Sequence, residues 1–138
     1  MDCRSYLEQL RKLDILIRQR KVQLEHLKSK AYSPRIASYS GVKVKEKSKK
    51  DKNSVDYIID LENQIDKSIV EFIKKEEKII SQIQSLENPL YLDIIFKRYV
   101  EFKPLEKIAS EMDYSYNYIR RVHNTAVDYF AKCVKIEA

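Results

Sequence analysis

Glycine is nearly missing from this sequence: Gly41 stands alone among 138 residues, and proline occurs three times. Sheet architectures built from tight turns need both residue types often, so their scarcity argues against an all-β or mixed fold, and an abundance of Lys, Glu, Ile and Leu favours long helices. The expected class is all-α. Cysteine is also scarce: Cys3 and Cys133 sit at opposite ends, with no CxxC pair and no Cys/His spacing that suits zinc, so neither a disulfide framework nor a metal site is expected. No apolar run approaches the ~20 residues of a membrane span, and MDCRSYLEQLRK is not the start of a secretory signal, which leads to the expectation of a cytoplasmic protein without a membrane partner.

Chemistry-bearing motifs are scarce too. The sequence has no glycine-rich phosphate loop, no nucleophile motif and no carboxylate pair in an apolar setting, and its two histidines, His26 and His123, are far apart. An enzyme is not expected, and no cofactor or metal is implied. His123 is expected to serve as a polar packing group or a phosphate contact rather than as a ligand or base.

Positive charge and helical periodicity are what the chain has in quantity. A formal net charge of +6 and a pI near 9.2 bias the molecule towards polyanions. From Cys3 to about Lys30, Tyr6, Leu10, Leu13, Ile17, Leu24 and Leu27 recur at three- and four-residue steps, broken at Arg20. That narrow stripe needs a partner helix to bury it. From Ser54 to Leu86 a second stripe carries Ile58, Leu61, Ile65, Ile69, Phe72, Ile80 and Ile83; the eleven-residue steps from Ile58 through Ile69 to Ile80 predict a nearly straight rod. The two helices are expected to pair as an antiparallel, coiled-coil-like hairpin, with self-association through the stripe as the alternative. Between them, at about 31–53, lies a basic loop with Lys43, Lys45, Lys47, Lys49, Lys50 and Lys52. It is open to two uses, a solubilising linker or a polycationic arm on DNA phosphates.

Asn88-Pro89 marks the start of a C-terminal unit, because Asn is a good N-cap and Pro suits the first helical position. A helix packing Leu92, Ile95, Phe96 and Tyr99 is expected to run until Pro104 ends it. A short helix then buries Leu105, Ile108 and Met112, with the small Ala109 where a crossing helix would touch. Asp113 falls at a sharp, left-handed turn position, Tyr114 follows as an expected buried anchor, and Ser115 is the expected N-cap of a last helix at about 115–132. If Ile119, Val122, Ala126 and Phe130 face inward, then Tyr116, Asn117, Arg120, Arg121 and Asn124 face outward. Arg and Asn are the residue types that pair bidentately with guanine and adenine, and Arg also grips phosphate. Arg120, one turn from Asn117 and near Tyr116, is expected at the base edge, and Arg121, about 100° further round the helix, towards a phosphate strand.

The stretch IFKRYVEFKPLEKIASEMDYSYNYIRRVHNTAVDYF resembles region four of bacterial sigma-70 factors. With the preceding helical hairpin, the chain resembles the small phage and prophage transcriptional regulators of the RinA and ArpU type, although Asp113 stands where that family usually has Gly. The resemblance implies a helical hairpin over 1–87 and a helix-turn-helix domain over 88–138. It also implies that Tyr116, Asn117, Arg120 and Arg121 enter the major groove of double-stranded DNA while Lys103 and Lys107 lie near backbone phosphate. RNA polymerase and a second copy are the further partners it brings in. Two other functions fit the same pattern: a small terminase-like DNA-packaging subunit, and a polymerase-interacting protein that does not bind DNA.

Overall fold

In the computed structural model, which describes residues 2–32 and 54–134, the chain is all-helical, with five helices and no strand among the described residues. Helix α1 spans Cys3–Tyr32, α2 Ser54–Gln84, α3 Pro89–Tyr99, α4 Leu105–Met112 and α5 Tyr116–Cys133. The first two residues of the expected loop at 31–53 belong to α1, and its lysine cluster lies outside the described residues. The chain divides into two compact units, Met1–Asp14 with Phe72–Ala138, and Ile15–Glu71.

In the Ile15–Glu71 unit, the two helical segments pair antiparallel: Arg20 donates to Ser68 Oγ at 2.6 Å and Lys28 lies 3.6 Å from Glu62. Ile17, Ile58, Leu61 and Ile65 are its buried residues, together with Ser68. Arg20, the residue that breaks the α1 stripe, therefore meets the one polar residue buried on α2. Matched polar residues in a hydrophobic seam act on register, since any slip would leave one of them without its partner.

The buried positions of α2 correct the eleven-residue pattern. They follow Ile58, Leu61, Ile65, Ser68, then Ile79 and Ile83, so that Ile58, Ile65 and Ile79, with the half-buried Phe72 between them, keep a seven-residue register that Leu86, just past the helix, continues. Ile69 and Ile80 are only half-buried. At each place two apolar residues are adjacent, or apolar stands next to Ser, and composition alone does not say which faces the seam. The seven-residue choice is the one that keeps the stripe turned towards a paired helix.

The other unit is built around α5. One cluster joins Tyr6, Leu7 and Leu10 of α1 and Ile79, Ile83 and Leu86 at the end of the hairpin with Ile95 and Tyr99 of α3, and Ala126, Val127 and Phe130 of α5. A second cluster holds the helix-turn-helix together: Ile94, Ile108, Ala109 and Ile119, with Leu105, Met112 and Val122 packed around them. Adjacent residues on a helix point about 100° apart, so Ile94 and Ile95 serve different clusters and α3 lies between them. Asn88 caps α3, its side-chain oxygen accepting from the N–H groups of Leu90 and Tyr91 at 3.0 and 3.2 Å. Helix α3 stops at Tyr99 rather than running to Pro104, which instead stands as the N-cap position of α4.

Among the described residues, which include no glycine, two take left-handed backbone: Phe102 and Asp113, each at φ 60°. Asp113 ends α4 in a Schellman arrangement, the N–H of Tyr114 reaching Ala109 O at 3.0 Å and that of Asp113 reaching Ser110 O at 3.4 Å. The small Ala109 is buried at the helix crossing, as its size requires. Tyr114 departs from expectation. It is 44% exposed and leans on Tyr118, ring centroids 4.9 Å apart, because the left-handed turn carries it away from the core.

Ile79 is 1% exposed, so Ile79→Ala should lose about 2 to 5 kcal/mol of stability, and Ile80→Ala less than half as much, measured by denaturant unfolding. Equal losses would restore the eleven-residue stripe. Asp113→Gly should raise stability by roughly 0.5 to 1 kcal/mol, because glycine enters left-handed backbone without steric penalty; a decrease would show that the Asp side chain stabilises the turn.

Candidate nucleic-acid interface

Ser115 Oγ accepts from the N–H of Tyr118 at 3.1 Å and so starts α5 where the sequence places it. Ile119, His123, Ala126, Val127 and Phe130 form its buried face. Tyr116, Asn117, Arg120, Arg121 and Asn124 are all exposed. The two arginines stand on different sides of the helix. Arg121 shares a shallow surface depression with Tyr91, Tyr118 and Thr125. Arg120 opens on a cleft of ≈ 330 Å³ that also takes in Arg4, Glu8, Arg98, His123 and Asn124.

Asn124 is engaged within the protein: its Oδ1 accepts a hydrogen bond from Arg4 at the start of α1. Arg98 Nη1 donates to the carbonyl of Lys103 at 3.2 Å, which aims its guanidinium. Lys103, expected near phosphate, has its ammonium between two carboxylates, 2.9 Å from Glu111 and 3.5 Å from Glu101. The hydrogen bond with Glu111 holds the ammonium above its ordinary pKa and the Glu111 carboxyl below the usual carboxylate range. Lys107 is exposed on the first turns of α4. Arg4, Arg98 and Arg11 escaped the sequence pattern. Arg11 lies over the Phe102 ring at 5.4 Å and donates to the Phe102 carbonyl at 3.4 Å, so α1 holds the left-handed turn between α3 and α4.

His123 is a packing residue and is too buried to be a phosphate contact. It is 5% exposed, with Nε2 2.8 Å from the Tyr99 hydroxyl and the two rings stacked. Burial, followed by the positive charges of Arg4 and Arg98, pushes its pKa down to about 4. Burial pushes the Tyr99 hydroxyl up to about 12. A neutral imidazole accepting the Tyr99 proton fits both. The Cys3 thiol donates to the Val127 carbonyl at 3.4 Å, and burial raises it to about 11, which suits a structural thiol rather than a reactive one.

Among the described residues, no cluster of His, Cys, Asp and Glu is arranged to hold a metal ion, and no helix is long and apolar enough to cross a membrane. None of the family models, curated proteins or solved structures compared with the chain matches it.

The depressed pKa of His123 has a stability consequence. Its folded value lies below the unfolded value of 6.5, so the neutral form is the one the fold favours. The contribution is whole above pH 6.5 and is lost as pH falls towards about 4, because the unfolded chain then binds the extra proton. Melting followed over this range should show the wild type losing on the order of 2 kcal/mol and His123→Gln losing much less. Parallel curves for the two proteins would dissociate the loss from His123.

Proposed function

We propose that this chain is a double-stranded DNA-binding transcriptional regulator, phage or prophage encoded and of the RinA and ArpU type, that reads promoter DNA with α5. The observation that carries this is the pair α4 and α5, joined through the left-handed Asp113 turn and the Ser115 cap, with a solvent-facing edge of Tyr116, Asn117, Arg120, Arg121 and Asn124. A helix presented in this way fits the major groove, and its outward residues are the types that bond base edges and phosphates. A positively charged chain gains further affinity by counterion release. RNA polymerase remains a proposed second partner, and the hairpin a proposed dimerisation element.

For the two arginines we propose the reverse of the roles expected from the sequence. Arg120 shares its cleft with Arg4 and Arg98, a cationic setting that suits phosphate. Arg121 stands away from that cleft, in the open depression it shares with Tyr118 and Thr125, which suits base edges.

The test is duplex binding by the full chain, first on random DNA and then on sites selected from it. Arg121→Ala should lose roughly 1 to 3 kcal/mol on a selected site and relax base preference, whereas Arg120→Ala should weaken selected and random duplexes alike. Wild-type protein that binds no duplex would end the DNA reading. The reverse outcome for the two variants would return the arginines to their sequence-assigned roles.

A further inference from the structure

Three arginines far apart in sequence open on one cleft: Arg4 from the first turn of α1, Arg98 from α3 and Arg120 from α5. Two of them are aimed by polar groups of the protein, Arg4 by Asn124 and Arg98 by the Lys103 carbonyl. Among the described residues none of the three is ion-paired, and Glu8 is the one carboxylate on the cleft wall. Outside the cleft, Glu101 and Glu111 are bound to Lys103, with Lys97 3.5 Å from Glu111, and the exposed Asp2 lies within the field of Arg4. Guanidinium groups held in this way carry a net positive field into a space of ≈ 330 Å³, and the neutral His123 on its floor adds no charge. The field is felt inside the protein, where Arg4 and Arg98 both act to keep His123 unprotonated.

We propose that this cleft is a phosphate seat, in which Arg4, Arg98 and Arg120 together grip one phosphate group, supplied by the backbone of a duplex whose groove is occupied by α5. The seat rests on the DNA reading for the source of its phosphate, and on its own geometry for the chemistry. Planar guanidiniums bond two phosphate oxygens at once, which a lysine ammonium does not do, and three of them line this cleft. Asn124 acts here as a positioning residue: its Oδ1 orients Arg4. The start of α1 thus becomes part of the DNA-binding surface, fixing where the phosphate strand runs relative to α5.

The experiment measures random-duplex affinity of the full chain against salt concentration, for wild type, Arg4→Gln, Arg4→Lys, Arg98→Gln, Glu8→Gln and Lys21→Gln, with melting confirming that each variant folds. Arg4→Gln and Arg98→Gln should each bind more weakly than wild type at ~0.1 M salt and make the slope of log affinity against log salt shallower, by at most the ~0.9 that loss of the whole phosphate contact would give. Arg4→Lys should keep the slope yet bind more weakly than wild type, since charge is retained and the fork is lost. Glu8→Gln should bind more tightly than wild type, an increase that mere loss of packing would not produce. Lys21→Gln, which removes the same charge outside the cleft, should keep the wild-type slope. Unchanged slopes in both glutamine variants of the arginines, with wild type still binding DNA and inorganic phosphate shifting no amide at His123 or Asn124, would overturn the seat and leave the DNA reading standing. Unchanged slopes combined with amide shifts at His123 and Asn124 on adding inorganic phosphate, absent in Arg4→Gln, would assign the seat to free phosphate and overturn the backbone source. If wild type binds no duplex, the DNA reading falls and the same phosphate titration decides the seat, which is lost if no shift appears.

Discussion

Phe130 is fully buried, with the Tyr6 ring 6.4 Å away centroid to centroid, and the rest of the α5 unit depends on that packing. Helices α3 and α4 are short, and with α5 they make a segment that buries too small a fraction of its surface to stand securely on its own core. The cluster around Ile94, Ile108 and Ile119 closes the helix-turn-helix itself, but the opposite side of α3 and the C-terminal half of α5 would be left bare. Tyr6, Leu7 and Leu10 from the start of α1, and Ile79, Ile83 and Leu86 from the end of the hairpin, cover it. Ile94 and Ile95, adjacent on α3, show the division: both are fully buried, each in a different cluster.

The shortage of glycine is felt on both sides of α4. Left-handed backbone costs a residue with a Cβ on the order of 1 to 2 kcal/mol, and the turns before and after α4 place Phe102 and Asp113 there. Each is compensated locally. At Asp113 the helix end closes on itself through the Ala109 and Ser110 carbonyls. At Phe102 the compensation is long-range, since Arg11 covers the ring and bonds the carbonyl, while Lys103 ties Glu101 to Glu111 across the same turn. The orientation of α4, and so of α5 after it, is set by these two strained residues and the groups that hold them.

The class, the helix order, the Asn88 and Ser115 caps, the left-handed Asp113 and the inward set Ile108, Ala109, Ile119, Ala126 and Phe130 were legible because each leaves a local mark: a cap residue, a turn residue, or an apolar spacing of three or four. What escaped was decided at a distance. Ile79 rather than Ile80, Ser68 rather than Ile69, and the full burial of Leu7 depend on which helix lies opposite, and neighbouring apolar residues look alike until that helix is in place. Tyr114 reads as an anchor because large aromatics are usually buried, yet its place immediately after a left-handed residue turns it outward. Arg4 and Asn124 are 120 positions apart, and no spacing rule connects them. Half of the candidate surface, the outward edge of α5, was thus visible in the sequence, and the other half, the arginines of α1 and α3, was not.

That second half follows from the first physical requirement. The side of α1 that supplies Tyr6, Leu7 and Leu10 to the core necessarily brings neighbouring residues of the same turns, Arg4 and Glu8, to the cleft beside α5, and Arg11 to the Phe102 turn. Covering Phe130 and gathering positive charge beside α5 are therefore one structural act. On the DNA reading proposed here, the hairpin is more than an arm attached to a reading head. Its first turns complete the head's core and supply part of its charged surface, so a change that loosened the start of α1 would alter stability and phosphate contact together, while the exposed edge of α5 from Tyr116 to Arg121, held by the separate Ile94, Ile108 and Ile119 cluster, would keep its own shape.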